Sequence, residues 1–412
     1  MRILHAADLH LDSPMRGLLA YEDAPVQELR MATRRALANL VDLAMAEEVA
    51  LVLLAGDVFD GNWPDYGTGL HFVKEMGRLR EAEIPVVMVS GNHDAESKLT
   101  RTLPLPDNVT LLETKAPQTH LLEEIGVAVH GQSYATPEIR DDLAAGFPSP
   151  RADLLNIGLL HTAAEGRAGH ENYAPCSLET LVSSGYDLWA LGHVHAREVL
   201  NADPLILFPG NLQGRNIRET GPKGASLIEL DGSSDPVESH IDLDCVRWEL
   251  IRIDASDVTS TDEIFSSLSA EVRGAAEQCG GRLLAAGVVI EGVTTAHTEL
   301  AADPESLRYG AISAAVGAVG EQVFVERVRL ETRAPRSIAA GGEDAVGELI
   351  REIEELSGPG LESAADALAR LDAILPREAR LDFDPASEDQ VRALLGELRE
   401  ALPPRLLRGV SG

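Results

Sequence analysis

Five short motifs rich in Asp, His and Asn carry the chemistry of this 412-residue chain: Asp8-x-His10, Gly56-Asp57, Gly91-Asn92-His93-Asp94, His161 within LLHT, and Gly192-His193-x-His195. Carboxylates suit hard divalent cations, and manganese or iron also accepts imidazole. Alternate residues of an extended chain point the same way, so Asp8 pairs with His10 and His193 with His195. Asp57 follows a Gly, so its carboxylate is free to approach closely and to bridge two ions, while Asn92 offers a neutral amide oxygen. Such a set suits two adjacent cations, and two adjacent cations suit hydrolysis of a phosphate ester.

Any one of these motifs alone is weak: D-x-H is commonly a surface pair, and G-H-x-H can be a turn with a core histidine. The weight lies in their order and setting, because four of the five end a short apolar, β-prone run. Strand ends are where several loops of one sheet meet. The expected strands are Ile3–Ala7, Leu51–Ala55, Pro85–Ser90, Val109–Leu112, Gly126–Gly131, Asn156–His161, Leu188–Leu191, Leu205–Phe208 and Ala225–Leu230. Helices are expected over Val26–Glu48, where Leu29, Leu37, Leu40, Val41 and Ala44 recur near helical period, and over Thr68–Ala82. Strands with helices outside them make a layered α/β sandwich over residues 1–245.

A second unit follows over 246–334, in β-α-β-α-β order: Trp248–Asp254, Thr261–Gln278 capped by Ser260 or Thr261, Leu283–Glu291, Pro304–Val319 and Val323–Thr332. Residues 335–342 read as a linker. The tail, 343–412, carries acidic amphipathic helices near Glu343–Ser357, Leu361–Ile374 and Ser387–Leu402, each too short to be stable unpacked, as in a docking element.

The formal charge is -32, and the acid is not confined to the tail. That excludes a broad basic DNA-binding face. Arg215, Arg218 and Lys223 form a local positive cluster that suits a nucleic-acid backbone or is simply solvated. Arg16, near the first motif, reads as a phosphate contact or a surface salt bridge. Asp12 and Asp60, just beyond their motifs, read either as partners of histidines or as loop caps. Cys176, Cys245 and Cys279 have neither zinc nor C-x-x-C spacing and read as reduced thiols. No apolar run is long enough for a bilayer, and Met1-Arg2 leads straight into a strand, so a cytoplasmic protein is expected. A phosphate-binding G-x-x-x-x-G-K-[ST] loop is absent, which excludes an ATPase.

The ordered motifs resemble those of the calcineurin-like metallophosphoesterase superfamily. LHAADLHLDSP, GDVFD, SGNHD and FPGNLQGRNIRETGPKG further resemble the SbcD kind of bacterial DNA-repair exonuclease subunit, particularly the YhaO-like branch. The motifs cover residues 1–230; the later regions match only in layout. The resemblance implies a four-layer αββα sandwich with a small α+β cap and a helical C-terminal tail. It implies one metal on Asp8, His10, Asp57 and His195, and a second on Asp57, Asn92, His161 and His193, with Asp57 bridging and Mn²⁺ the usual ion. His93 would face the scissile phosphate and Asp94 would orient it. It also implies DNA as substrate for exonuclease or endonuclease cleavage in repair, a homodimer formed through the phosphoesterase domain, and an SMC-type, SbcC-like coiled-coil ATPase docked on the tail. The cap would select DNA ends. The alternatives are a phosphodiesterase or phosphatase for small nucleotides or other phosphoesters, which the acidic surface favours, and a mainly scaffolding subunit of an ATPase complex.

Overall fold

The fold is described from a computed structural model, over residues 1–13, 25–61, 66–96, 103–164, 173–230, 236–256, 258–335, 359–374, 387 and 390–395. These form two compact units, Met1–Glu249 with Cys279–Ala285, and Leu250–Gln278 with the described residues from Ala286 onward.

The first unit is built on two six-stranded sheets. One contains β1 (Arg2–Ala6), β2 (Leu51–Ala55), β3 (Val86–Val89), β4 (Val109–Leu111), β11 (Gly224–Glu229) and β12 (Val237–Asp242), in the order β12-β11-β1-β2-β3-β4. The other contains β5 (Gln118–Leu122), β6 (Val127–Gly131), β7 (Leu155–His161), β8 (Leu188–Gly192), β9 (Glu198–Ala202) and β10 (Leu205–Phe208), in the order β5-β6-β7-β8-β10-β9. β1 to β4 run parallel to one another, as do β6, β7, β8 and β10. Parallel strands buried on both faces read as continuous apolar runs, and LVLLA of β2 is buried at every position.

Period-two alternation decides which layer each side chain joins. Ile3, Leu51, Leu53, Val87 and Val89 meet Val129, Ile157, Leu159, Leu188 and Leu207 between the sheets. Leu4, Val52, Leu54 and Val86 face the other way, against Leu37, Leu40 and Val41 of α1 (Val26–Ala46) and Phe72, Met76 and Leu79 of α2 (Gly67–Glu81). Trp189, Leu191, Ile206 and Phe208 pack outward with Leu181. The layers are therefore αββα, as the motif resemblance implies. Short helices α3 (Asn92–Glu96) and α4 (Leu178–Ser183) complete the unit.

A third sheet, most of whose residues belong to the second unit, contains β13 (Val246–Asp254), β14 (Leu283–Val293) and β15 (Val323–Arg333) in that order. α5 (Thr261–Gln278), α6 (His297–Ala302) and α7 (Pro304–Val319) join it. Of the two caps considered for α5, Ser260 serves, its Oγ accepting from the Glu263 amide at 3.3 Å. In the tail, helix Pro359–Ile374 matches the expected middle helix, and its Leu368 packs with Val391, Leu394 and Leu395. The expected helix 343–357, most of the linker and Arg16 lie outside the described residues. Among those described, no helix is long and apolar enough to cross a membrane, and none of the three cysteines is in a disulfide.

Candidate metal centre

Every ligand-bearing motif lies at the C-terminal end of a parallel strand. Asp8 and His10 follow β1, Asp57 follows β2 and Asn92 follows β3, while His161 closes β7 and His193 follows β8. With both sheets presenting those ends, five loops converge. The backbone there is bent to make the convergence possible. Asp8, His10, Asp57 and His193 all have positive φ, at 52°, 42°, 50° and 102°, a region costly for residues with a side chain and concentrated at functional sites. The glycines are just as constrained: Gly56 has φ +89°, and a Cβ there would lie 2.6 Å from His161 Nδ1 and 2.9 Å from the Gly91 amide.

Ligand atoms of Asp8, His10 and His195 all lie within 4.8 Å of one another, as do those of Asp8, Asp57 and His161. His10 Nε2 and His195 Nε2 stand 3.2 Å apart. Asp57 Oδ2 is 3.9 Å from His10 Nε2 and 3.4 Å from His161 Nε2, so it faces both halves of the cluster. The His161 Nδ1–H donates to the Ala55 carbonyl (2.9 Å), which aims Nε2 at Asn92 Oδ1, 3.0 Å away. The His193 ring lies beside that of His161, with centroids 5.1 Å apart, and its backbone amide donates to Asp8 Oδ2 at 2.9 Å.

The residues fit a pair of cations on their own evidence. Asp8 and Asp57 are 0% and 2% exposed, and buried carboxylates need positive partners. Burial raises the Asp8 carboxyl despite the nearby histidines. Burial opposes a charge on His161, yet Asp57 and Asp8 outweigh it and push its pKa up to about 9, so a buried imidazolium balances the carboxylates. His10 is the converse: burial, helped by Arg215, pulls it down to about 3 and leaves a neutral imidazole, whose Nδ1 lies 3.7 Å from Asp60 Oδ1 and has no hydrogen-bond partner among the described residues. Neutral imidazoles and ionised carboxylates are the forms that ligate divalent metals, so a cation at His161 would displace its proton and take its place as counter-charge to Asp57 and Asp8.

The structure differs from the sequence expectation over which acid holds His93. His93 is 38% exposed, at the edge of the cluster, and its Nδ1–H donates to Asp60 Oδ1 at 2.9 Å. Asp94 instead accepts from the backbone amides of Gly91 (3.0 Å), Phe59 (2.9 Å) and Val58 (3.3 Å). It sits three residues into the helix turn begun by Gly91 and reaches back to that amide, as in a capping box. Asp94 therefore staples the loop after β2 to the loop after β3. Burial, reinforced by Asp57, raises its carboxyl to about 7. Asp60 goes the other way: burial opposes ionisation, but its contacts with His10 and His93 hold it well below the usual carboxylate range. His93 is raised because Asp60 and Asp57 outweigh its burial. Asp12 proves to be a loop anchor, bound by Arg34 and the Thr68 hydroxyl.

Glu219 was not singled out from the sequence. It accepts from His195 Nδ1–H (2.8 Å), Asn211 Nδ2 (2.9 Å) and the Arg215 amide (2.8 Å). Burial opposes its charge, but His195 and Arg215 keep it well below the usual carboxylate range. The only sequence signal was its place within FPGNLQGRNIRETGPKG. The three cations of that stretch fare differently. Arg215 is half-buried against Glu219, and Lys223 donates to the His195 carbonyl at 3.1 Å; Arg218 is exposed.

Residues 1–197 match the family described as calcineurin-like phosphoesterase, and residues 248–333 match the middle domain of metallophosphoesterase YhaO. A Bacillus subtilis (strain 168) protein, an uncharacterized metallophosphoesterase named YhaO, is 33% identical over 269 residues, covering 64% of this chain and 66% of that one. The DNA double-strand break repair protein Mre11 of Sulfolobus acidocaldarius is 26% identical over 245 residues, covering 56% and 61%. That of Sulfurisphaera tokodaii is 25% identical over 273 residues, covering 62% and 66%. The chain thus spans less than two thirds of the length of these relatives.

Proposed function

We propose that this chain, whose residues 1–197 match the calcineurin-like phosphoesterase family, is a two-metal phosphodiesterase that cleaves DNA. The observation that carries the hydrolase reading is the convergence of Asp8, His10, Asp57, His161 and His195 around two buried carboxylates. The relatives named for DNA double-strand break repair support DNA as the phosphodiester.

One cation would be held by Asp8, His10, Asp57 and His195, and the other by Asp57, Asn92, His161 and His193; the imidazole-rich set suits Mn²⁺. Bound there, the pair would polarise the phosphoryl oxygens and lower the pKa of water. The protein supplies the rest. Asp57 is fixed by the His93 backbone amide at 2.9 Å, so the shared carboxylate cannot swing away. His161 and His195 are each locked through Nδ1, to the Ala55 carbonyl and to Glu219 respectively, leaving Nε2 to ligate. Asp60 holds His93 by Nδ1 and favours its protonated form. His93 Nε2–H then donates to the departing oxygen as negative charge grows on it.

As part of the same reading, the chain works as a homodimer with an SMC-type coiled-coil ATPase docked on the tail, and the second unit selects DNA ends. The test is Mn²⁺-dependent digestion of linear duplex, hairpin and plasmid DNA beside turnover of bis(p-nitrophenyl) phosphate. Cleavage of DNA lost with EDTA and regained with Mn²⁺ is expected. Turnover of the chromogenic diester with every DNA left intact would favour a small phosphoester substrate.

A further inference from the structure

Outside the imidazoles lies a ring of charge centred on Arg215. The guanidinium is only 16% exposed, and its partners Glu219 and Asp60 are 10% and 15% exposed. Arg215 Nη2 donates to Glu219 Oε1 at 2.8 Å, and Nη1 lies 3.8 Å from Asp60 Oδ2. Nη2 is also 3.2 Å from His195 Nδ1. Each of these carboxylates holds a different imidazole of the site: Glu219 takes His195 Nδ1–H and Asp60 takes His93 Nδ1–H, at 2.8 Å and 2.9 Å.

We propose that Arg215 is a positioning residue that fastens both halves of the centre at once, holding His195 through Glu219 and His93 through Asp60. This rests on the reading that the cluster binds two cations and cleaves phosphodiesters. The rigid fork of a guanidinium can serve two carboxylates in fixed directions, and a lysine ammonium cannot reproduce that geometry. Without the cation, two largely buried carboxylates would lose their shared counter-charge and would be free to shift with the rings they carry. The reading differs from a substrate role. A phosphate contact needs a guanidinium offered to solvent, whereas this one is turned inward and its own backbone amide is tied to Glu219 at 2.8 Å.

The test measures Mn²⁺ binding by titration calorimetry and turnover of bis(p-nitrophenyl) phosphate for the full chain and for Arg215→Met, Arg215→Lys, Glu219→Gln and the double variant Arg215→Met with Glu219→Gln. Loss of an outer partner of a metal ligand weakens metal binding roughly 10–100-fold, and this is the loss expected for Arg215→Met, with a fall in kcat larger than any rise in KM. Arg215→Lys should regain part of both. The double variant should bind Mn²⁺ no more weakly than the worse single variant, because both act through His195. Unchanged Mn²⁺ affinity and unchanged kcat on the small diester in Arg215→Met, with a raised KM for duplex DNA, would overturn the proposal and make Arg215 a phosphate contact. Additive losses in the double variant would overturn it as well. If Arg215→Met does not fold, Arg215→Lys paired with Glu219→Gln gives the same cycle. A wild-type chain that neither binds Mn²⁺ nor turns over the diester would instead sink the phosphoesterase reading.

Discussion

Asp60→Asn and Asp94→Asn should have opposite signatures, although both replace an acid in a site motif. Asp60 is the carboxylate on His93 Nδ1, at 2.9 Å. Exchanging it for an amide removes a charge-assisted hydrogen bond worth about 1.5–3 kcal/mol. If that bond is fully used as the leaving oxygen departs, the rate falls roughly 10–150-fold. The alkaline limb of the rate profile should also move to lower pH: Asp60 raises the pKa of His93, so without it His93 loses its proton sooner as pH rises. Mn²⁺ content should stay near that of the wild type. Asp94 instead accepts three backbone amides, two on Oδ2 and one on Oδ1. An amide there keeps one oxygen and turns an NH₂ toward a donor, leaving at least one buried N–H unpaired. The expected cost is about 1–3 kcal/mol of stability, with the rate per folded molecule nearly unchanged. The assay combines thermal unfolding, metal content by mass spectrometry and pH-resolved turnover of bis(p-nitrophenyl) phosphate. A large rate loss in Asp94→Asn at unchanged stability, with Asp60→Asn silent, would refute this division of labour.

Asp57→Asn should abolish tight binding of both Mn²⁺ ions, because Oδ2 faces His10 and His161 alike; retention of one ion at wild-type affinity in calorimetry would show that Asp57 does not bridge. Gly56→Ala should destabilise the first unit by roughly 1–3 kcal/mol through backbone strain alone and weaken Mn²⁺ binding too, since the new Cβ would press on His161 Nδ1; an unchanged melting temperature would contradict it. The buried His5 imidazole is pulled by burial down to about 3, so between that pH and its ordinary value the unfolded chain binds the extra proton. Metal-free protein should therefore lose stability as pH falls through that window, by about 1.4 kcal/mol per pH unit from this group. His5→Gln should flatten the slope of denaturation midpoints by that amount, and an unchanged slope would show that His5 is not held neutral.

What could be read from the sequence divides along physical lines. The inner strands announce themselves because both faces are buried; LVLLA of β2 and LWALG of β8 leave no other reading. The strands that escaped, β5, β9 and β12, are all sheet edges. Residues such as those of VESHID alternate between half-buried and exposed, so the apolar signal never forms. The metal motifs were legible because each ligand lies at a strand end or within four residues after one. Asp94 misled because it adjoins His93 in the chain, yet consecutive residues of a helix do not face each other. Asp60 reaches His93 only because the loops after β2 and β3 are brought together, and Glu219 reaches His195 across a long connection. Such outer partners are products of tertiary structure, and spacing in the chain does not encode them.

On this reading five loops hold two cations in one pocket. Anomalous diffraction from a crystal soaked in Mn²⁺ tests it directly. Two manganese peaks are expected roughly 3.5–4 Å apart, with the Asp57 carboxylate between them, one peak beside His10 and His195 and the other beside Asn92, His161 and His193. A single peak elsewhere, or none at saturating Mn²⁺ with the pocket intact, would contradict it.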